Sequence, residues 1–147
     1  VGWTGRSVVP DKNPKYLTEV QPGFVYGLDE QVYKKVFAIL CEGQLDAIHV
    51  EGCALGGSEI SDQQAMLLNR LQKEIVVVPD RDKAGSKLVE RAIELGWSVS
   101  MPEWHSDIND IGDSVQQYGR LYTLHNIAIT AEHSPIKIRL RAKKWFT

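Results

Sequence analysis

Two carboxylates bracket an arginine in the stretch Ile75-Val76-Val77-Val78-Pro79-Asp80-Arg81-Asp82-Lys83-Ala84-Gly85, directly after a run of apolar β-formers. Another apolar run, Phe37-Ala38-Ile39-Leu40-Cys41, delivers Glu42-Gly43, and the stretch Trp104-His105-Ser106-Asp107-Ile108-Asn109-Asp110 adds Asp107 and Asp110. Carboxylates gathered from distant parts of a chain repel one another unless a cation sits among them. Hard oxygen ligands of this kind suit magnesium or manganese, which are held by a few carboxylates and bridge to substrate phosphates. Glu42, Asp80, Asp82 and Asp107 are the expected ligands, with Asp110 as an outer one. Alternation along an extended segment points Asp80 and Asp82 into one crevice with Glu42 and turns Arg81 away. A local alternative is helix capping, which Asp does well; the recurrence of acids at three places favours the metal. Glu51-Gly52 competes with Glu42-Gly43, but it follows a helical stretch and reads as that helix's end, with Gly52 as the C′ residue. Asp46 falls in the first turn of that helix, where it favours the dipole or positions the glutamate's loop.

Such acids must be placed by the ends of strands. Runs that are apolar at every position, each followed by a helical pattern, predict a parallel sheet covered on both faces. Strands are expected at 37–41, 53–55, 75–78 and 97–101. Helices are expected from about Leu45, after Ser61 as N-cap, and over 83–95, the last with a buried stripe of Ala84, Leu88, Ala92 and Leu95. In open parallel sheets ligands bind beyond the carboxyl ends of the strands, where these acids stand. The fold class is α/β, layered, with a mostly parallel central sheet and helices on both faces. Residues 1–34 form a lead-in broken by Pro10, Asn13-Pro14 and Gln21-Pro22-Gly23, and 35–118 form the domain. Residues 119–147 are an extension whose Ile136-Lys137-Ile138-Arg139-Leu140-Arg141-Ala142-Lys143 alternates like a strand with one basic face.

The chain has 147 residues, 43% hydrophobic and 24% charged, as an ordinary globular domain does. A formal charge of −2 does not itself advertise a polyanionic partner. No apolar run approaches the roughly 18 residues of a membrane span, and no signal-peptide layout opens the chain, so a cytoplasmic setting is expected. Starting without Met, the chain reads as a piece of a longer polypeptide. Cys41 and Cys53 lack zinc-ligand spacing and read as buried thiols. His105 reads as structural, and Trp3 and Trp104 as core residues or base-stacking platforms.

Glu42-Gly43, Asp80-Arg81-Asp82 with Gly85 behind it, and the acidic loop at 107–110 together resemble the Toprim domain of primases, topoisomerases and some nucleases. Gly2-Trp3-Thr4-Gly5-Arg6, Asn13-Pro14-Lys15-Tyr16-Leu17 and Tyr26-Gly27-Leu28 resemble the segment that precedes Toprim in bacterial and phage DNA primases. The chain departs from that pattern at Thr18, where Asn is usual, and at Pro22-Gly23-Phe24-Val25, where a basic cluster is common. The resemblance implies a primase catalytic core that uses magnesium or manganese to make RNA primers on single-stranded DNA from ribonucleoside triphosphates during DNA replication. It implies catalysis by Glu42, Asp80 and Asp82 and contacts from Arg6 and Lys15 to template or nucleotide. It further implies a replicative helicase met through regions outside this chain, in a bacterial cell or phage-infected host. Nuclease or topoisomerase phosphodiester chemistry, and a non-catalytic nucleic-acid-binding module, are the alternatives.

Overall fold

The computed structural model describes residues 2–14, 16–32 and 36–147. The apolar runs form the middle of a sheet because both of their faces are covered. In β3 (Phe37–Cys41) and β5 (Glu74–Val77), alternate side chains enter two separate cores. Ala38, Leu40, Ile75 and Val77 pack with Ala65 and Leu68 of α2 (Asp62–Asn69) and with Leu88, Val89 and Ala92 of α3 (Lys83–Glu94). Ile39, Cys41, Val76 and Val78 pack on the other face with Ala47 and Val50 of α1 (Gln44–Val50), Ile111 of α4 (Ile111–Tyr118) and Ile127 of α5 (Arg120–Thr130). A strand with period-two geometry is apolar wherever both faces are covered, as β3 and Ile75, Val76 and Val77 of β5 are, while Glu74 at the start of β5 is exposed.

Among the described residues the main sheet has the order β4-β3-β5-β6-β7, with β4 at Cys53–Ala54, β6 at Ser98–Ser100 and β7 at Ala131–Glu132. β4, β3, β5 and β6 run parallel and β7 pairs antiparallel to β6. The architecture is therefore the expected α/β one with a mostly parallel sheet. Before it, β1 (Trp3–Arg6) and β2 (Tyr16–Glu19) form a separate antiparallel pair. The lead-in is tied to the sheet edge at Tyr26 and Ala54, whose backbones exchange hydrogen bonds of 2.9 and 3.2 Å.

Three local expectations are corrected. The basic segment is the helix α6 (Pro135–Trp145), not a strand. Proline stands in its first turn, and Ile138, Ala142 and Trp145, spaced for one helical face, are the residues that meet the core, while Ile136 and Leu140 are 72% and 62% exposed. The alternation was thus coincidental with a weaker 3.6-residue period, in a run rich in good helix formers. The buried stripe of α3 runs through Gly85, Leu88, Val89 and Ala92. Finally, Gly52 holds the expected C′ place after α1, but the left-handed residue there is the C-cap Glu51 (φ 51°), and glycine is needed at 52 because a Cβ would come within 2.8 Å of the Ile39 carbonyl oxygen.

Candidate active site

Glu42 leaves the end of β3, and its loop is pinned by Gly56 N–H donating to the Glu42 carbonyl (3.0 Å). α1 begins at once, placing Asp46 in its first turn. Asp80 follows β5 by three residues, and the chain then turns tightly into α3. A Cβ on Gly85 would lie 2.0 Å from the Asp80 carbonyl oxygen, so only glycine lets α3 start this close to the acid. The loop after β6 brings Asp110 to the N-terminus of α4, where it accepts from Asp113 N–H (2.7 Å). Asp46 crosses to this loop and accepts from Gly112 N–H (2.8 Å).

These elements enclose a cavity of about 780 Å³ lined by Glu42, Asp46, Asp80, Asp110 and Asp113, and also by Arg6 and Thr18 from the lead-in. The acids raise one another's pKa. Burial, then Glu42, Asp46, Asp110 and Asp82, push Asp80 up to about 8. Burial and Asp82 raise Glu42 to about 7, although the Asp80 backbone N–H, donating to it, pulls the other way. Burial and Asp110 raise Asp46 to about 6 despite its bond from Gly112. One Glu42 oxygen, Oε1, is buried without a hydrogen-bond partner among the described residues. A buried acceptor with no donor is costly, and a cation relieves both that cost and the repulsion. Among the described residues no three His, Cys, Asp or Glu side chains are gathered tightly enough to hold a metal ion on their own. That suits magnesium, which takes one or two protein carboxylates and fills its remaining positions with water and phosphate. The hard oxygen set and the orphaned Oε1 fit such an ion.

The expected residues are placed unevenly. Glu42, Asp80, Asp110 and Arg6 line the one cavity. Asp82, expected in the same crevice, is not among its lining residues: its Oδ1 caps α3, accepting from Gly85 N–H at 2.8 Å, which is the local alternative weighed for it, and its charge raises Glu42. Asp107 stands apart, 60% exposed and paired with His105 Nδ1 at 2.6 Å, which holds its carboxyl below the usual range. A two-residue turn separates its direction from that of Asp110. Lys15 lies outside the described residues. Arg81 points away as expected. Trp104 is buried and stacked on Trp145 (5.7 Å), while Trp3 is exposed and donates to Glu19 (3.1 Å). Cys41 and Cys53 are buried thiols, and burial with nearby acids pushes Cys41 up. Asp46 and Asp113 join the cavity beyond the expected set. Their signal was spacing: each stands one helical turn after a cavity acid, Asp46 after Glu42 and Asp113 after Asp110.

A family described as Toprim-like matches residues 39–113. The chain is 28% identical over 138 residues to the DNA primase of Aquifex aeolicus (strain VF5), a match covering 82% of this chain and 28% of that protein. A crystal structure of the zinc-binding and RNA polymerase domains of the Aquifex aeolicus primase superposes with a TM-score of 0.72 at 24% identity, covering 99% of this chain and 43% of the other. The DnaG primase catalytic domain bound to single-stranded DNA superposes with a TM-score of 0.74 at 17% identity, covering 97% and 51%. Both superpositions are likenesses of fold. The chain spans under a third of the length of that curated relative.

Proposed function

The chain belongs to the Toprim-like family, and on that premise we propose that it is the catalytic core of a DNA primase, making RNA primers on a single-stranded DNA template. One observation carries this over other Toprim chemistry. The lead-in, through Arg6 and Thr18, lines the same cavity as Glu42, Asp80 and Asp110. A Toprim domain working by itself has no need of a flanking ladder in its carboxylate crevice, whereas a polymerase must hold template and nucleotide beside its acids. On this reading 1–34 is the segment facing template or nucleotide, 35–118 the Toprim domain and 119–147 an extension ending in α6.

Glu42 and Asp80 would hold a magnesium or manganese ion, with Asp110 and Asp82 as outer ligands reached through its water shell. Such an ion, when bound, offsets the triphosphate charge and lowers the pKa of the attacking 3′-hydroxyl. The reaction joins that oxygen to the α-phosphorus of a ribonucleoside triphosphate and releases pyrophosphate. Asp80 and Glu42, held near 8 and 7 without an ion, give up protons on loading, so activity rises with pH through the neutral range. Glu42 Oε1, which accepts from no donor among the described residues, either completes the ion's shell or takes the hydroxyl proton. Arg6 meets phosphate, where its fork is suited to two oxygens at once; Lys15 is assigned the same task from its sequence motif. A replicative helicase would be engaged by regions beyond this chain, within a bacterial cell or a phage-infected host.

Primer synthesis on a single-stranded template with ribonucleotides and magnesium or manganese tests this. Oligoribonucleotides made by the chain and lost in Asp80→Ala are expected. Nicked DNA without synthesis points to nuclease chemistry, and binding with neither product points to an accessory module.

A further inference from the structure

Arg81, the residue between the two acids of the Asp80-Arg81-Asp82 run, turns its side chain onto the loop that follows β6. Its Nη1 donates to the His105 carbonyl (3.0 Å) and its Nη2 to the Trp104 carbonyl (3.2 Å). Its backbone N–H donates to the Asn109 carbonyl (2.8 Å), one residue before Asp110. A single residue therefore holds the acid-bearing loop at two places, its middle and the position just before Asp110. The guanidinium also lies 4.8 Å over the Trp145 ring, and Trp145 Nε1 donates to the Pro102 carbonyl (2.8 Å), so α6 closes the back of the same loop.

We infer that Arg81 is a positioning residue that sets the separation of Asp80 and Asp110, with Trp145 of α6 as its brace. The inference rests on the metal-site reading above. Asp80 and Asp110 line one cavity from separate loops, and two carboxylates held together there repel when both are ionised. Something stiff behind the site must resist their separation. The planar fork of a guanidinium fixes its two Nη directions relative to each other, which matches two successive carbonyls; a lysine ammonium reaches one at a time. Because the strut is the neighbour of Asp80 in sequence, any shift in the loop after β6 is passed directly to the β5 acid.

Calorimetric titration of manganese into the 147-residue chain tests this without any turnover. Wild type should bind, and Asp80→Asn should abolish binding. Arg81→Met, which keeps an apolar stem over Trp145, should weaken the affinity about tenfold, the lower end of what losing a group that orients metal ligands costs. Arg81→Lys should recover less than half of that loss on a logarithmic scale. In an Asp110→Asn background Arg81→Met should cost less than about twofold more, because the acid whose place it sets no longer ligates. Affinity within twofold of wild type in Arg81→Met, full recovery in Arg81→Lys, or an undiminished loss in the Asp110→Asn background would overturn the inference. Should Arg81→Met not fold, as unfolding in EDTA would reveal, Arg81→Lys and Trp145→Phe decide in its place, with Arg81→Lys expected to lose about fivefold and Trp145→Phe about threefold. A wild-type chain that binds no manganese removes the site reading and this inference with it.

Discussion

Replacing Asp80 by asparagine should stabilise the metal-free chain, the opposite of what most substitutions at a packed site do. The carboxyl is held at about 8 against an ordinary 3.8. Each tenfold change in proton affinity is worth about 1.4 kcal/mol, so ionising Asp80 in the fold costs up to about 6 kcal/mol. The cavity is open to water and Glu42 shares the same field, which together reduce the net cost to about 2 kcal/mol. The sign follows from the folded value lying above the unfolded one: the native chain holds the proton more tightly, so stability falls as pH rises from about 4 to about 8 and is level above. Asp80→Asn removes this component. The variant should melt roughly 4–8 °C above wild type in EDTA at pH 8.5, at roughly 2–4 °C per kcal/mol for a chain of this length. The difference shrinks as pH falls toward 4, where Asp80 is protonated in the folded chain and increasingly so in the unfolded one. A residual slope persists between pH 4 and 7 from Glu42 at about 7 and Asp46 at about 6. Saturating magnesium should shrink or reverse the gap, since it binds the native wild type alone. Scanning calorimetry at pH 5 and 8.5, with and without magnesium, measures all of this. A variant that melts below wild type at pH 8.5, or a gap that does not widen with pH, refutes the electrostatic account of the cavity.

Gly85→Ala places a Cβ 2.0 Å from the Asp80 carbonyl; urea unfolding should show a loss of about 2 kcal/mol or more, accompanied by weaker manganese binding because Asp80 must shift. Ile138→Ala, at a fully buried position of α6, should cost about 2–4 kcal/mol, while Ile136→Ala should stay within about 0.5 kcal/mol. Equal losses at 136 and 138 would instead match a strand with both residues on one face. Arg6→Ala should weaken single-stranded DNA or nucleotide binding and reduce the salt dependence by about one counterion; an unchanged salt slope would remove Arg6 from the phosphate contacts.

The sheet was legible because burial on both faces leaves a mark on each residue of β3 and on Ile75, Val76 and Val77 of β5, and an apolar run followed by helical periodicity has few other solutions. Ser61 as the N-cap of α2 was legible for a similar reason, since a cap is local; the structure adds Gln64, which completes a capping box with it. The short ladder of β1 with β2 was not, because its strands are exposed on all described positions of β1 and carry no period. α6 misled: Ile136, Ile138 and Leu140 alternate with Lys137, Arg139 and Arg141, and only packing showed that Ile138 alone of the three is buried.

What the sequence by itself determined is the set of acids and the strand ends that carry them, because residue type and local period are written along the chain. Which of those acids share a crevice was decided by tertiary structure. Asp107 and Asp110 lie on the same loop, yet one pairs with His105 in solvent while the other caps α4 inside the cavity. Asp82 likewise caps α3 through Oδ1 outside the cavity lining while its charge still raises Glu42. Side-chain direction after a strand end depends on turns closed by distant partners, such as the Arg81 N–H on the Asn109 carbonyl, and no spacing rule along the chain contains those partners.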